Sequence, residues 1–90
     1  IVIGGGYIGV ELGQMYAKFG TKVMILEGGE RVLPGFETDL VAPVVKQLKT
    51  DGASIVTGAI AEKVVHNTDT ITLHYSKDQE QHHVTAEFVL

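Results

Sequence analysis

The spacing of hydrophobic positions changes along the chain, and each change marks an element. Ile1-Val2-Ile3 is a short run of β-prone apolar residues, as expected of a strand buried on both faces of a parallel sheet. Gly4-Gly5-Gly6 interrupts it. Helical spacing then takes over: Ile8, Leu12, Met15, Tyr16 and Phe19 fall at i, i+4, i+7, i+8 and i+11, which predicts one apolar stripe facing the core, with Gly20 as the C-terminal cap. A second strand is predicted over Thr21 to Leu26, and a loop over Gly28 to Gly35 from its glycines and Pro34. A second helix follows, with Leu40, Val41, Val44, Val45 and Leu48 as its apolar face, Thr38 or Asp39 as N-cap and Gly52 as its stop. Pro43 falls just past the positions whose N–H groups are free, which favours a kink or a later helix start.

Ser54 to Thr57 reads as another short strand. From Ala59 the period shortens to two: Ile71, Leu73 and Tyr75 alternate with Thr70, Thr72 and His74, and Asn67-Thr68-Asp69 predicts a turn back to the preceding Ala61–His66. A further antiparallel strand, His82 to Thr85, is reached through polar Ser76–Gln81, and Glu87 to Leu90 reads as a return to the buried parallel sheet. The order predicts an α/β fold: a Rossmann-like parallel sheet with flanking helices and an antiparallel three-stranded meander, in a single domain over residues 1–90.

A chain of 90 residues buries only about two thirds of its unfolded surface, so a large active site would be completed by other parts. With no cysteine, these residues hold neither a redox disulfide nor a thiolate metal site. A formal charge of −4 without a basic cluster argues against nucleic acid or an anionic membrane surface as partner. No apolar run approaches the ~20 residues of a membrane span, and no signal peptide is apparent, so a cytoplasmic protein is expected. His66, His74, His82 and His83 contain no His-x-His pair, and adjacent strand residues point to opposite faces, so no metal site is expected. The chain starts without Met inside a strand and ends on an apolar run, and is expected to be an excised piece of a longer protein.

The glycines carry the chemistry. Gly4, Gly6 and Gly9 form G-x-G-x-x-G between a predicted strand and a predicted helix. The first lets the chain leave the strand in a tight turn, the second removes the side chain that would stand between backbone and pyrophosphate, and the third lets the helix pack close to the sheet. The unpaired N–H groups and dipole of a helix N-terminus suit an anion without any Lys or Arg. Glu27 follows Gly9 by 18 residues, near the ~20 at which such a motif places its ribose-binding acid. A carboxylate accepts from two ribose hydroxyls but repels a 2′-phosphate, which favours NAD over NADP.

The whole order, carrying GGGYIGVELG and then E-x-x-x-R-x-L-P over Glu27 to Pro34, resembles the NAD-binding domain of the FAD-dependent pyridine nucleotide-disulfide oxidoreductases, across essentially all 90 residues. The resemblance implies a cofactor-binding set of Gly4, Gly5, Gly6, Tyr7, Ile8, Gly9, Val10, Glu11, Glu27 and Ile60. In it, Gly5, Tyr7 and Ile8 offer backbone N–H groups to the pyrophosphate, Glu27 takes the adenosine ribose, and Ile60 touches the adenine through its backbone. Tyr7 would cover the nicotinamide pocket and Glu11 would pair with a Lys of the flavin domain, both as supporting groups; no catalytic residue is expected within residues 1–90. From the residues alone, Tyr7 reads equally as a core or capping aromatic, Glu11 as a favourable charge in a first helical turn, and Ile60 as plain core. Arg31 reads as a surface residue with packed stem and solvated head, the alternative being a receiver for the 2′-phosphate of NADP.

The resemblance further implies FAD bound by a separate domain of the parent chain, a dimerisation domain, a homodimeric parent, and electrons passing between dihydrolipoamide-type dithiols, a protein disulfide, FAD and NAD. Two other readings remain open at this point: an FAD-binding Rossmann domain, and a non-catalytic nucleotide-sensing module.

Overall fold

Small side chains decide how the first helix packs. In the computed structural model, which describes residues 1–90, β1 (Val2–Ile3) leads through the glycine turn into α1 (Tyr7–Lys18), which buries Val10, Gly13 and Ala17. A Cβ at Gly13 would lie 3.0 Å from Cδ1 of Ile25, so helix and sheet approach more closely than a side chain there would comfortably allow. This corrects the predicted stripe: Ile8, Met15, Tyr16 and Phe19 are exposed, Phe19 at 81%, and Leu12 is half-buried. Hydrophobic spacing picked the wrong face because glycine and alanine carry little apolar side chain, yet close helix–sheet contact needs them. Gly20, at φ +91, ends α1 as expected, donating to the Ala17 carbonyl while Thr21 N–H donates to Tyr16.

β2 (Met24–Leu26) and β3 (Ser54–Val56) complete a parallel sheet in the order β1-β2-β3, with Val2 beside Ile25 and Ile25 beside Ile55. Between them, α2 (Thr38–Thr50) starts at an N-cap one residue before the predicted pair: the Glu37 carbonyl accepts from both Leu40 and Val41. Pro43 therefore lies inside the helix, on its exposed side, and does not delay the start. Val41 and Leu48 are buried, with Val44 and Val45 packed beside them, whereas Leu40 is 64% exposed and leaves the predicted face. Gly52, at φ +93, closes the helix as expected.

β4 (Ala59–His66), β5 (Ile71–Lys77) and β6 (Glu80–Ala86) form the antiparallel meander. The molecule thus has three layers, and β2 shows why. Ile25 points into a core with Val10, Ala17, Val41 and Leu48 of the helices, while its neighbour Leu26 points into a second core with Ala59, Leu73 and Tyr75 of the meander. The alternation of one strand joins two apolar layers. The predicted Asn67 turn is present, with Asn67 N–H donating to the Thr70 carbonyl. The second hairpin is tighter than predicted: Asp78 and Gln79, at φ +52 and +66, make a two-residue turn that the absence of glycine hid. Glu87 to Leu90 returns beside β1 as predicted but is too short to form a strand of its own: Leu90 accepts from Ile3 N–H and donates to the Ile1 carbonyl, and the Phe88 carbonyl accepts from the amino terminus of Ile1. Neither helix is long and apolar enough to cross a membrane.

A Cβ at Gly9 would run into the carbonyl oxygen of Gly4 and stand 3.2 Å from Val2. Gly9→Val should therefore cost on the order of 2–3 kcal/mol, as expected for overpacking that the backbone cannot relieve, and lower the melting temperature by about 10 °C or more. Gly6→Ala is the control, since an added Cβ there meets nothing within 4 Å. Thermal melts followed by circular dichroism should separate the two, and equal midpoints would contradict the packing role of Gly9.

Candidate functional site

The carboxyl ends of β1 and β2 converge on one glycine turn. Gly4 leaves β1 at φ +100, a backbone region that disfavours any side chain, and its N–H donates to the Leu26 carbonyl at 2.7 Å. Gly6 is extended, at φ −75 and ψ −174, and serves as the N-cap of α1 with no side-chain cap bond. The first bond into the helix runs from Val10 N–H to the Gly6 carbonyl, which leaves the amides of Gly6, Tyr7, Ile8 and Gly9 as the unpaired donors of the helix start. Nothing stands above Gly6 within 4 Å of where a Cβ would be. An anion placed there would meet backbone donors and the positive end of the α1 dipole without a side chain in the way.

Gly5 departs from its expected part. Its N–H is directed away from that space and donates to Oε1 of Glu27 at 2.7 Å. The second oxygen, Oε2, accepts from Gly29 N–H, also at 2.7 Å. A carboxylate has about four acceptor positions, so two remain for a ligand's hydroxyl groups. Glu27 is half-buried at the end of β2, and its own backbone is tied on both sides, donating to Val56 and accepting from Ala59. The acid is thus fixed in place before any ligand arrives. Sequence reasoning missed Gly29 as its partner; the signal was the Gly-Gly pair after the acid, which lets a backbone amide turn back onto the carboxylate.

The loop that follows is fastened to the same turn. Leu33 N–H donates to the Gly5 carbonyl at 2.7 Å, and a Cβ at Gly5 would stand 2.5 Å from Cγ1 of Val32. Arg31 is not the solvated surface residue expected: its guanidinium donates to the carbonyls of Leu33, Pro34 and Phe36 at 2.9, 3.0 and 2.8 Å. Ile60, 54% exposed, is no core residue; it stands beside the backbone of Gly28, where its Cδ1 would be 3.2 Å from an added Cβ. Glu27, Gly28 and Ile60 therefore line one continuous surface next to the glycine turn.

Tyr7, 64% exposed, is likewise not a core aromatic, and Glu11, exposed on the same helix face, lies beyond the first turn of α1, which holds no acid. Val10 is buried under the helix, so any contact it offers a ligand is through its backbone. The histidines stand apart from this site: His74 faces His83 across β5 and β6 with ring centroids 5.9 Å apart, and His82 stacks on Tyr75. No group of three or more His, Cys, Asp or Glu side chains converges anywhere. A cleft of about 950 Å³ opens at the other end of the sheet, between Ile1, Tyr16, Thr21 and Phe88. Neither the glycine turn nor Glu27 borders it.

Residues 1–80 match the family model of the pyridine nucleotide-disulphide oxidoreductases. The chain belongs to this family. It is 47% identical over all its 90 residues to a dihydrolipoyl dehydrogenase of Geobacillus stearothermophilus, of which it spans 19%. Among solved structures, the HOCl-induced flavoprotein disulfide reductase RclA of Escherichia coli superposes with a TM-score of 0.85 at 32% identity, over 98% of this chain and 19% of that one. A water-forming NADH oxidase of Lactobacillus brevis, solved bound to NADH, gives 0.79 at 25% identity with the same coverage. The chain therefore spans about a fifth of the length of these family members.

Gly6→Val should abolish dinucleotide binding while the domain stays folded, because its side chain would fill the open space above the helix start, where an added Cβ meets no atom within 4 Å. Binding isotherms read beside circular dichroism check this; full affinity in the variant would put the ligand elsewhere.

Proposed function

We propose that residues 1–90 are the NAD(H)-binding domain of a longer, FAD-dependent disulfide oxidoreductase of the dihydrolipoamide dehydrogenase type. The observation that carries the reading is Glu27: a carboxylate held by two backbone amides beside a helix start with free donors. Gly6 to Gly9 would take the pyrophosphate, Glu27 the adenosine ribose hydroxyls, and the Gly28–Ile60 surface the adenine. Gly5 serves this site as the holder of Glu27. The nicotinamide would extend past the exposed Tyr7 and Glu11 toward a flavin bound by another domain, which supplies the redox chemistry when present. The NADH oxidase noted above, bound to NADH, supports the cofactor assignment, and the high identity to a dihydrolipoyl dehydrogenase supports a dithiol as the parent's substrate. The remaining four fifths of a family member's length would provide the flavin domain and a dimerisation domain, with a homodimer as the working form.

The chain's contribution is position: a fixed carboxylate and fixed amides convert a flexible dinucleotide into an oriented one. Glu27→Ala should weaken NAD binding by on the order of 1.5–3 kcal/mol, the range for hydrogen bonds to a charged group, and improve the relative affinity for NADP. Titration of both cofactors tests it, and an unchanged NAD/NADP ratio would remove Glu27 from the role.

A thermal-shift series distinguishes the readings. At a hundredfold excess over the dissociation constant, a ligand stabilises the folded state by about 2.7 kcal/mol, a shift of roughly 10 °C or more for a domain of this size. NAD should raise the midpoint of the 90-residue chain, with no dithiol oxidation detectable. A shift by FAD alone would instead favour a flavin-binding Rossmann domain, and no shift at millimolar ligand would contradict a self-sufficient site.

A further inference from the structure

We propose that Arg31 is a positioning residue that sets the cofactor preference of Glu27 from a distance; the inference rests on the NAD reading above. Both protons of its Nη2 and one of its Nη1 are committed to the Pro34, Phe36 and Leu33 carbonyls. A planar fork bonded to three carbonyls within four residues curls the chain around itself, which the single ammonium of a lysine cannot reproduce. Inside that curl Leu33 sits at φ +52, a left-handed conformation that side-chain-bearing residues seldom adopt without support.

The curl has a direction. It aims Leu33 N–H at the Gly5 carbonyl, 2.7 Å away, and buries Val32 and Leu33 against the helix-side core. The same Gly5 donates its N–H to Glu27. Arg31 is thus coupled to Glu27 through Leu33 and Gly5, and loosening the curl frees the acid from one of its two anchors. A carboxylate that can swing away grips ribose hydroxyls less well and repels a 2′-phosphate less strongly. Arg31 so placed acts as a fastener and not as a receiver of phosphate; the two roles predict opposite results.

The test titrates NAD⁺ and NADP⁺ into the full natural chain that carries residues 1–90, as wild type, Arg31→Ala, Arg31→Lys, Glu27→Ala and the double Arg31→Ala/Glu27→Ala variant. Arg31→Ala should weaken NAD⁺ by about tenfold, less than the full loss of a charged hydrogen-bond acceptor, and leave NADP⁺ unchanged or modestly tighter because the repulsion is relieved, so that the selectivity ratio falls by about tenfold or more. Arg31→Lys should restore little of it and carries the same comparison if the alanine variant does not fold. In the Glu27→Ala background, Arg31→Ala should leave the ratio unmoved, because the two act through one carboxylate. Equal weakening of both cofactors would reduce Arg31 to general loop support and overturn the proposal. Selective loss of NADP⁺ would overturn it in favour of a phosphate receiver. A wild type without NAD⁺ preference would overturn the underlying reading, and shows before any variant is compared.

Discussion

The backbone of Gly5 joins the glycine turn to the loop after β2. Its N–H anchors Glu27, its carbonyl receives Leu33 N–H, and its α-carbon faces Val32 so closely that no side chain fits between them. Each neighbouring feature depends on that contact. Without it the acid at the end of β2 would lose one anchor, and Val32 and Leu33 would lose the backbone against which they are buried. A short loop is thereby made part of the rigid scaffold, the arrangement expected where binding groups sit on loops but must hold a fixed geometry.

The layers beneath explain why the turn lies where it does. A parallel sheet sends the carboxyl ends of its strands to one edge, and a helix after β1 must begin at that edge. The small face of α1, Val10, Gly13 and Ala17, brings the helix against Ile25, so the open amides at its start stand next to the end of β2. The meander covers the opposite face through Leu26, Leu73 and Tyr75 and supplies Ile60 beside Gly28. Two cores of modest size thus hold together one edge of the sheet. The large apolar residues on the outer face of α1, Phe19 above all, take no part in either core.

How much of this could be read from the chain follows from what each signal measures. Gly4, Gly6 and Gly9 were legible because each answers a separate steric demand, and the structure shows all three demands: a left-handed turn, open space and a close crossing. The parallel strands were legible as short apolar runs bounded by turn residues, and the meander from period-two alternation. The buried face of α1 was not, because apolar spacing weights large side chains, and α1 packs through Val10 and the small Gly13 and Ala17. The bonds of Gly5, Gly29 and Arg31 were hidden for a different reason. They are made by or to the backbone, and depend on Leu33 taking a positive φ that no composition rule assigns to leucine. Asp78-Gln79 escaped notice in the same way.

The claim that the site is built on the sheet edge around Gly5 can be tested directly by amide NMR during an NAD titration. The account predicts the largest shifts at the amides of Gly6, Tyr7, Ile8 and Gly9, with the Gly5 amide protected from solvent exchange both before and after ligand because Glu27 already holds it. Shifts confined to Thr21, Lys22 and Phe88, around the cleft at the far end of the sheet, or a Gly5 amide that exchanges freely, would contradict it.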